Sequence, residues 1–489
     1  MYRVATYIVY VLLFALAFRG SEFIANNPLQ EDGYYSLTVA RNIALGKGLT
    51  IDGSMQTSGF QPLVTTASSL CFVASGGDRI LGLRFYLVLS LIVHAFAAWV
   101  FARVVARLVS EDDANTWVPA VHLWYLTSLY MFTMHFNGLE TGVLLLGYGL
   151  LLLHLLAMPA DASRSWSIKL GVLLGLMILT RIDVLVPASA LMLWLLAGNQ
   201  TMRKRDVGLA VVCMGLIILP WFAYVYNTFG TIMPSGGAAQ TSMVFTTERI
   251  EQAFMNIAET LVPFTFLRFH LFSTFWGEVV RAVAFLVLVP TLWRTLRDLR
   301  GAISTNAKAA IRALAIGIAA MCSYYALINF ATWHYTRYFA PIAYVVSLLG
   351  LVAILRSPLQ SRIKHLVVAS YAALFLAVVG SMLLGKGAGN EMIVDQLALV
   401  QSYVSADYPV ASGQTGTLGF MRERVLNIDG KVNHEALRRR ESIPEYLAER
   451  NVHWFCDEPE LIERFLGHDW QQRGWRIIGQ KGNFVLLHR

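Results

Sequence analysis

Long apolar segments separated by short polar ones make up most of the chain as far as residue 385. A run of about 20 apolar residues is long enough to cross a lipid bilayer as an α-helix. The pattern therefore predicts an all-α, polytopic membrane domain in residues 1–385. About 11 transmembrane helices are expected, near residues 4–20, 80–108, 116–134, 140–158, 168–181, 183–198, 207–224, 277–294, 308–330, 338–355 and 364–384.

Basic residues cluster at alternate ends of these segments, for example at Arg3, at Arg103 with Arg107, and at residues 203–205. Cytoplasmic loops carry an excess of Lys and Arg, so the N-terminus is predicted to lie in the cytoplasm. Loops 21–79 and 225–276 and the C-terminal segment then lie on the opposite side of the membrane. The first apolar segment fits either a signal peptide or an uncleaved span, and this topology requires the span.

Residues 386–489 have a different pattern, in which short apolar pieces are punctuated by Gly and Asp. A helix in ESIPEYLAERN, a strand near 452–455 and a hairpin turning at Lys481-Gly482 are expected. This segment is predicted to be a small, soluble α/β domain. Within loop 21–79, residues 62–75 are apolar but too short to span, so a helix lying in the membrane interface and ending at Gly76-Gly77 is expected.

Composition supports a membrane protein, since 56% of residues are hydrophobic and only 14% are charged. Soluble domains have about 25% charged residues. The net charge of +8 does not indicate nucleic-acid binding, because the basic residues fall between apolar segments as in cytoplasmic loops. The four cysteines, Cys71, Cys213, Cys322 and Cys456, have no metal-ligand spacing, so neither a disulfide framework nor a zinc site is predicted.

Two adjacent carboxylates, Glu31 and Asp32, follow the first apolar segment. A helix is predicted over Gly33–Leu45, with Gly46 as its C-terminal stop. Asp32 could then be no more than an N-cap that accepts backbone N–H groups. The alternative is a catalytic role, because apolar surroundings at the membrane boundary raise the pKa of a carboxylate and suit it to proton transfer.

Other ionisable residues are expected at the same outer ends of the spans, and each has a structural alternative. Glu140 in HFNGLETG is either a solvated loop acid or part of a site. Arg181 and Asp183 in LTRIDVLVP either pair with each other across a tight turn or contribute to a site. Arg337, which follows His334 in TWHYTRYFAP, either anchors a span at the headgroups or binds a phosphate, which its forked guanidinium suits.

No P-loop, HExxH or CxxC motif is present in the sequence. A transporter would place charged residues deep in its spans or break its helices at the midplane of the membrane. Ionisable residues at the outer ends favour an enzyme that works on the outer surface. The alternatives are a transporter or flippase for a lipid-linked cell-envelope precursor and a non-catalytic scaffold whose C-terminal segment binds cell-wall partners.

The acidic pair, the segment YYSLTVARNIALGKGLTIDG with TSGFQPL, and the motifs NGLETG, LTRID and YTRYFAP resemble the GT-C superfamily of membrane glycosyltransferases. The likeness extends to bacterial relatives of protein O-mannosyltransferases, to the lipid A aminoarabinose transferase and to arabinofuranosyltransferases. It implies an inverting glycosyltransferase of a bacterial inner membrane, with its site and C-terminal domain in the periplasm. The sugar would come from a polyprenyl-phosphate donor and pass to a hydroxyl of a protein such as pilin, a lipid or a glycan.

The resemblance also implies roles for residues. Asp32 would be the general base, assisted by Glu31. The donor phosphate would be bound by Arg337, helped by Arg181, His334 and Arg41, while Glu140 and Tyr35 would contact substrate. Glu31, Asp32 and Glu140 would be the candidate ligands of a divalent cation, Mg²⁺ or Mn²⁺, should the reaction use one. Many relatives have a Lys in the loop where this chain has GGAAQTS with Gln240, which puts a Lys–phosphate contact there in doubt.

Overall fold

The computed structural model describes residues 2–20, 28–109, 111–159, 163–197, 203–240, 275–301, 303–327, 335–384 and 391–489. Each predicted span overlaps a helix, and the span predicted at 116–134 overlaps two. The helices before the C-terminal domain are α1 (Tyr2–Leu16), α2 (Glu31–Ala44), α3 (Pro62–Ala74), α4 (Arg79–Leu108), α5 (Glu111–Thr127), α6 (Leu129–Phe136), α7 (Thr141–Leu156), α8 (Arg164–Thr180), α9 (Leu185–Ala197), α10 (Lys204–Phe229), α11 (Ser235–Gln240), α12 (Phe275–Asp298), α13 (Thr305–Leu327), α14 (Tyr335–Tyr338), α15 (Ala340–Arg356) and α16 (Ser361–Leu383).

Several of these helices are long and apolar enough to cross a membrane, which agrees with the composition of a membrane protein. Within the described ranges, four helices meet this condition, namely α4, α10, α13 and α16, and a fifth span results if α6 and α7 count together. Other apolar helices, including α1, α3 and α15, are shorter. The total of 11 spans therefore stays a prediction, and most of loop 225–276 lies outside the described residues.

One predicted span is wrong as a continuous helix. Residues 116–134 divide at Ser128, which has an extended backbone between α5 and α6. The Thr127 hydroxyl donates to Leu123 O at 2.8 Å, a type of side-chain bond that weakens and bends helices. Helices α6 and α7 then meet at an angle of 116°, so this part of the chain turns sharply just before Glu140.

The acidic pair lies inside α2, and not in front of it. The helix begins at Glu31, and Gln30 occupies the N-cap position without a side-chain cap bond. The prediction of Asp32 as an N-cap is thus wrong, since the helix starts two residues earlier than expected. The predicted ends are confirmed, because Gly46 after α2 and Gly76 and Gly77 after α3 have positive φ angles of 72°, 61° and 80°, which favour glycine.

The C-terminal segment forms the predicted α/β domain. Its elements are α17 (Glu391–Tyr403), β1 (Val410–Ser412), α18 (Gly416–Met421), β2 (Val425–Asn427), α19 (His434–Arg438), α20 (Ile443–Glu449), β3 (Trp454–Asp457), α21 (Pro459–Leu466), β4 (Arg476–Lys481) and β5 (Phe484–His488). The five strands form one sheet in the order β2-β1-β3-β5-β4. Strand β1 pairs in parallel with β2 and β3, while β5 pairs antiparallel with β3 and β4. The hairpin between β4 and β5 turns at Gly482 as predicted.

One edge of this sheet faces helix α2. In parallel sheets, functional loops follow the carboxyl ends of the strands, and ligands bind where neighbouring connections run in opposite directions. Here β1 lies between β2 and β3, so its connection to β2 leads to one side and β3 lies on the other. The loop after β1 and the start of α18 contact α2 through Gly413, Thr415, Gly416 and Thr417. The C-terminal domain therefore docks onto the segment that carries the acidic pair through the residues that follow β1.

Candidate active site

Glu31 and Asp32 point in different directions because neighbouring residues of an α-helix are about 100° apart around its axis. Glu31 faces the C-terminal domain. Its carboxylate accepts hydrogen bonds from the backbone N–H groups of Gly416 and Thr417 and from the Thr417 hydroxyl. Burial raises the pKa of Glu31, and the Thr417 and Gly416 bonds oppose that shift. Asp32 faces a cavity on the other side of the helix.

The NGLETG motif packs directly against the start of α2. The N–H of Gln30 donates to Asn137 O at 2.9 Å, and a Cβ on Gly33 would lie only 2.8 Å from both Asn137 O and Gly138 Cα. Gly33 is therefore required for this close approach. The contact brings Glu140, three residues after Asn137, to the same cavity as Asp32.

Arg181 belongs to a tightly connected buried cluster. Its guanidinium makes two bonds to the Asp183 carboxylate, one of them 3.2 Å from Nε to Oδ1, and lies 3.6 Å from Glu140. Arg181 also donates to Arg337 O at 3.2 Å, and the Tyr325 hydroxyl donates to Asp183 at 2.7 Å. The pairing of Arg181 with Asp183 across a tight turn is thus present, and Glu140 extends it.

Arg337 is more loosely engaged and faces Asp32. The distance from Arg337 Nη1 to Asp32 Oδ2 is 3.6 Å, longer than a good charge-assisted hydrogen bond. Arg337 Nε is buried and has no hydrogen-bond partner among the described residues. The side chain lies over the ring of Tyr338, with Cζ 5.2 Å from the ring centroid. Arg337 therefore retains donor capacity toward the cavity.

Lys431 is the site residue that the sequence reasoning missed. It follows β2 in the turn Asp429-Gly430-Lys431, and its Nζ lies 3.5 Å from Asp32 Oδ1. The Asp429 carboxylate lies 3.7 Å from Lys431 Nζ and accepts the Lys431 backbone N–H at 2.8 Å. The Asp32 carboxylate raises the pKa of Lys431, and Asp429 adds to this effect. The signal that could have identified Lys431 was its position directly after a strand of a parallel sheet, where ligand-binding loops lie.

The cavity beside Asp32 has a volume of about 500 Å³, within the range of small-molecule sites. Six charged residues line it, three carboxylates and three cations: Asp32, Glu140, Asp183, Arg181, Arg337 and Lys431. Polar groups from α2, from the α6–α7 turn, from α14 and from the C-terminal domain thus converge. A second cavity, of about 360 Å³ beside Trp124 and Val346, has an almost wholly apolar lining and offers no comparable chemistry.

The remaining predicted site residues are distributed unevenly. Tyr35 lines the cavity, and its hydroxyl contacts Gly413 O at 3.4 Å and Thr415 N at 3.3 Å. Arg41 lies elsewhere on α2, where Nε donates to Gly77 O at 2.8 Å and Nη1 is 3.3 Å from Glu423. His334 lies outside the described residues.

The candidate metal ligands Glu31, Asp32 and Glu140 do not converge. Glu31 binds amides of the C-terminal domain, Asp32 lies between Arg337 and Lys431, and Glu140 faces Arg181. In the described part of the chain, no group of three or more His, Cys, Asp and Glu side chains is arranged to hold a metal ion. These three carboxylates therefore do not fit one shared cation in this arrangement.

No protein-family model matches the sequence, and no curated protein matches it either. Solved structures do match. The apo structure of ArnT from Cupriavidus metallidurans superposes with a TM-score of 0.64 at 12% identity, over 99% of this chain and 97% of that chain. ArnT is the lipid A aminoarabinose transferase, a GT-C enzyme. The chain has a GT-C fold.

Two further structures with the GT-C fold are similar. ArnT bound to undecaprenyl phosphate matches with a TM-score of 0.58 at 12% identity, over 99% of this chain and 97% of that chain. The oligosaccharyltransferase of Archaeoglobus fulgidus, tethered to an acceptor peptide, matches with a TM-score of 0.53 at 12% identity, over 98% of this chain and 73% of that chain. The resemblance read from the motifs is thus confirmed at the level of the fold.

Proposed function

We propose that this protein is an inverting glycosyltransferase that moves a sugar from a polyprenyl-phosphate donor to a hydroxyl acceptor on the extracytoplasmic face of a bacterial inner membrane. The observation that carries the proposal is the placement of Asp32 between two cations in a polar cavity. Asp32 lies 3.6 Å from Arg337 and 3.5 Å from Lys431. Binding of undecaprenyl phosphate by ArnT, whose fold this chain shares, supports the choice of donor.

The reaction needs a base and a site for the leaving phosphate. Asp32 takes the proton from the acceptor hydroxyl as that oxygen attacks the anomeric carbon. The bond from the anomeric carbon to the phosphate oxygen breaks, and its electron pair stays on the polyprenyl phosphate. Arg337 stabilises the negative charge that develops there. Arg181 does not contact the phosphate directly, because its guanidinium is already paired with Asp183 and Glu140. Its bond to Arg337 O holds α14, the short helix that carries Arg337.

The expected position of the acidic pair, at the boundary between the membrane and water, explains why it follows the first span. The sugar phosphate of the donor lies at the lipid headgroups while its tail stays in the bilayer, and the acceptor arrives from water. A base at this boundary can contact both substrates. The acceptor class is a hydroxyl of a surface protein such as pilin, of a lipid or of a glycan.

The proposal is tested in a deletion strain by mass spectrometry of surface glycoconjugates and of polyprenyl-phosphate lipids. Deletion should remove a defined sugar mass from a surface molecule and cause the matching lipid-linked sugar to accumulate. The wild-type gene should restore the modification, and an Asp32→Asn gene expressed at equal level should not. Unchanged glycoconjugates in the deletion strain would refute the proposal.

A carrier for a lipid-linked precursor is the second candidate, favoured by the 116° bend between α6 and α7, since broken helices form transporter sites. The same strains separate the two. A carrier defect leaves the lipid-linked sugar in the cytoplasmic leaflet, whereas a transferase defect leaves it in the outer leaflet. Accessibility of the accumulated sugar to an external glycosidase or oxidant distinguishes these locations.

A further inference from the structure

The C-terminal domain extends a charged side chain into the cavity that the membrane helices form. Lys431 is 399 residues from Asp32 in sequence, and 29% of its side chain is accessible. Lys431 is also one of the residues that line the cavity. Lys431 therefore belongs both to the contact between the C-terminal domain and α2 and to the wall of the cavity.

Several contacts fix the Lys431 backbone at this point. The Ser235 hydroxyl donates to Lys431 O at 2.7 Å, and Asp429 accepts the Lys431 N–H. The Lys431 carbonyl also passes directly over Gly59, where a Cβ would overlap it. The side chain is therefore presented to the cavity from a fixed backbone.

The two cations beside Asp32 are held loosely by comparison with Arg181. Both lie 3.5 to 3.6 Å from the Asp32 carboxylate, and Arg337 Nε has no partner in the described part of the chain. Arg181, by contrast, makes two bonds to Asp183 and also faces Glu140. An anion that enters the cavity can thus attract Arg337 and Lys431 but would not displace the partners of Arg181.

We propose that Lys431 is a second phosphate-binding cation of the active site, supplied by the C-terminal domain, and that the donor phosphate takes it over from Asp32. This inference rests on the function proposed above. A donor phosphodiester carries one negative charge and the leaving phosphate monoester gains another as the bond breaks. Arg337 and Lys431 together match the charge that develops. Asp32, once it has lost two cationic neighbours, is the better proton acceptor, because nearby positive charge favours its ionised form.

The test measures binding of undecaprenyl phosphate to the full-length protein in nanodiscs, without any sugar acceptor. Lys431→Met should weaken binding by about 10- to 100-fold, the usual cost of one charge-assisted contact, and should lower the salt dependence. Lys431→Arg should restore most of the affinity. The matched control is Lys481→Met, which removes a half-exposed lysine of the same domain that pairs with Asp395 and should bind like the wild type.

Asp32→Asn should change the affinity for undecaprenyl phosphate in the opposite direction to Lys431→Met. Removing the competing carboxylate should tighten undecaprenyl phosphate binding by at least about threefold, from the loss of like-charge repulsion. Adding Lys431→Met to Asp32→Asn should abolish that gain. Docking of the C-terminal domain is checked in every variant by limited proteolysis.

The outcomes separate this inference from the proposed function. If the wild type does not bind undecaprenyl phosphate at all, the proposed function fails. If the wild type binds and a correctly docked Lys431→Met binds equally well, the inference on Lys431 is wrong and the proposed function stands. Loss of binding that appears only together with loss of docking, and that Lys431→Arg does not restore, would also overturn it, because Lys431 would then be structural.

Discussion

At the scale of single residues, two arginines that line the same cavity have different tasks. Arg181 is held by Asp183 and Glu140, while Arg337 has donor capacity left beside Asp32. Arg337→Ala should therefore lower turnover by about 10²–10³-fold, the usual loss when one donor to a developing charge is removed, with little change in thermal stability. Arg181→Ala should instead destabilise by about 3–5 kcal/mol, because it leaves buried carboxylates without their partner. Turnover and melting temperature of both variants check this, and normal turnover in Arg337→Ala would show that it only anchors a span.

The adjacent acid Glu31 is expected to hold the C-terminal domain in place. Glu31→Gln cannot accept all the bonds from Gly416 and Thr417, and an unsatisfied buried group costs about 1–3 kcal/mol. Protease sensitivity of the C-terminal domain should rise, while the catalytic rate of molecules that remain docked should change little. Glu423→Gln is the control, because Glu423 is half-exposed and surface ion pairs contribute at most about 1 kcal/mol. If docking is intact in Glu31→Gln but turnover is abolished, Glu31 is the base and Asp32 is not.

At the scale of elements, the position of Lys431 depends on the space above Gly59. A Cβ at Gly59 would overlap Lys431 O, whereas a Cβ at Gly236 would approach the same atom at an ordinary 3.7 Å. Gly59→Ala should displace the 429–431 turn and weaken undecaprenyl phosphate binding about as much as Lys431→Met, by roughly tenfold or more. Gly236→Ala should bind normally. Equal affinity in the two alanine variants would mean that the turn is not fixed at this point.

Individual helices and turns could be predicted from the sequence because the signals for them lie within the same short stretch of residues. The period of apolar residues placed a helix at each expected span, and Gly46, Gly76 and Gly482 marked turns that require positive φ. The break at Ser128 was missed because neither Gly nor Pro marks it, and Thr127 and Ser128 are flanked on both sides by apolar residues. Asp32 was misplaced at the helix start because Glu31 and Asp32 are both suited to a first turn, so composition alone does not fix the first residue.

At the scale of the whole molecule, the candidate site could be predicted only in part. The motifs around Asp32, Glu140, Arg181 and Arg337 identified four residues that now line one cavity. Lys431 and Asp429 escaped because nothing in local periodicity links residue 431 to residue 32. The docking of the C-terminal domain onto α2 is a long-range contact between residues 413–417 and the start of α2, and it gives Glu31 its partners on the side away from the cavity.

The topology prediction also belongs to the whole molecule. Because basic clusters alternate along the chain, the N-terminus is expected in the cytoplasm and the C-terminal domain outside it. A periplasm-dependent phosphatase fused after Arg489 should be active, and the same enzyme fused after residue 160 should be inactive. The reverse activities would place Asp32 on the cytoplasmic side and remove the basis for a donor at the outer leaflet.

The most direct test of the central claim is sugar transfer by purified Asp32→Asn protein, with the lipid-linked donor that the deletion strain accumulates. Asparagine keeps the size of the side chain but cannot accept the proton. The variant should fold, keep its C-terminal domain docked and bind undecaprenyl phosphate, yet release polyprenyl phosphate at least about 10²-fold more slowly than the wild type, the lower range for loss of a general base. Release at a near wild-type rate by a correctly folded Asp32→Asn protein would contradict the assignment of Asp32 as the catalytic base.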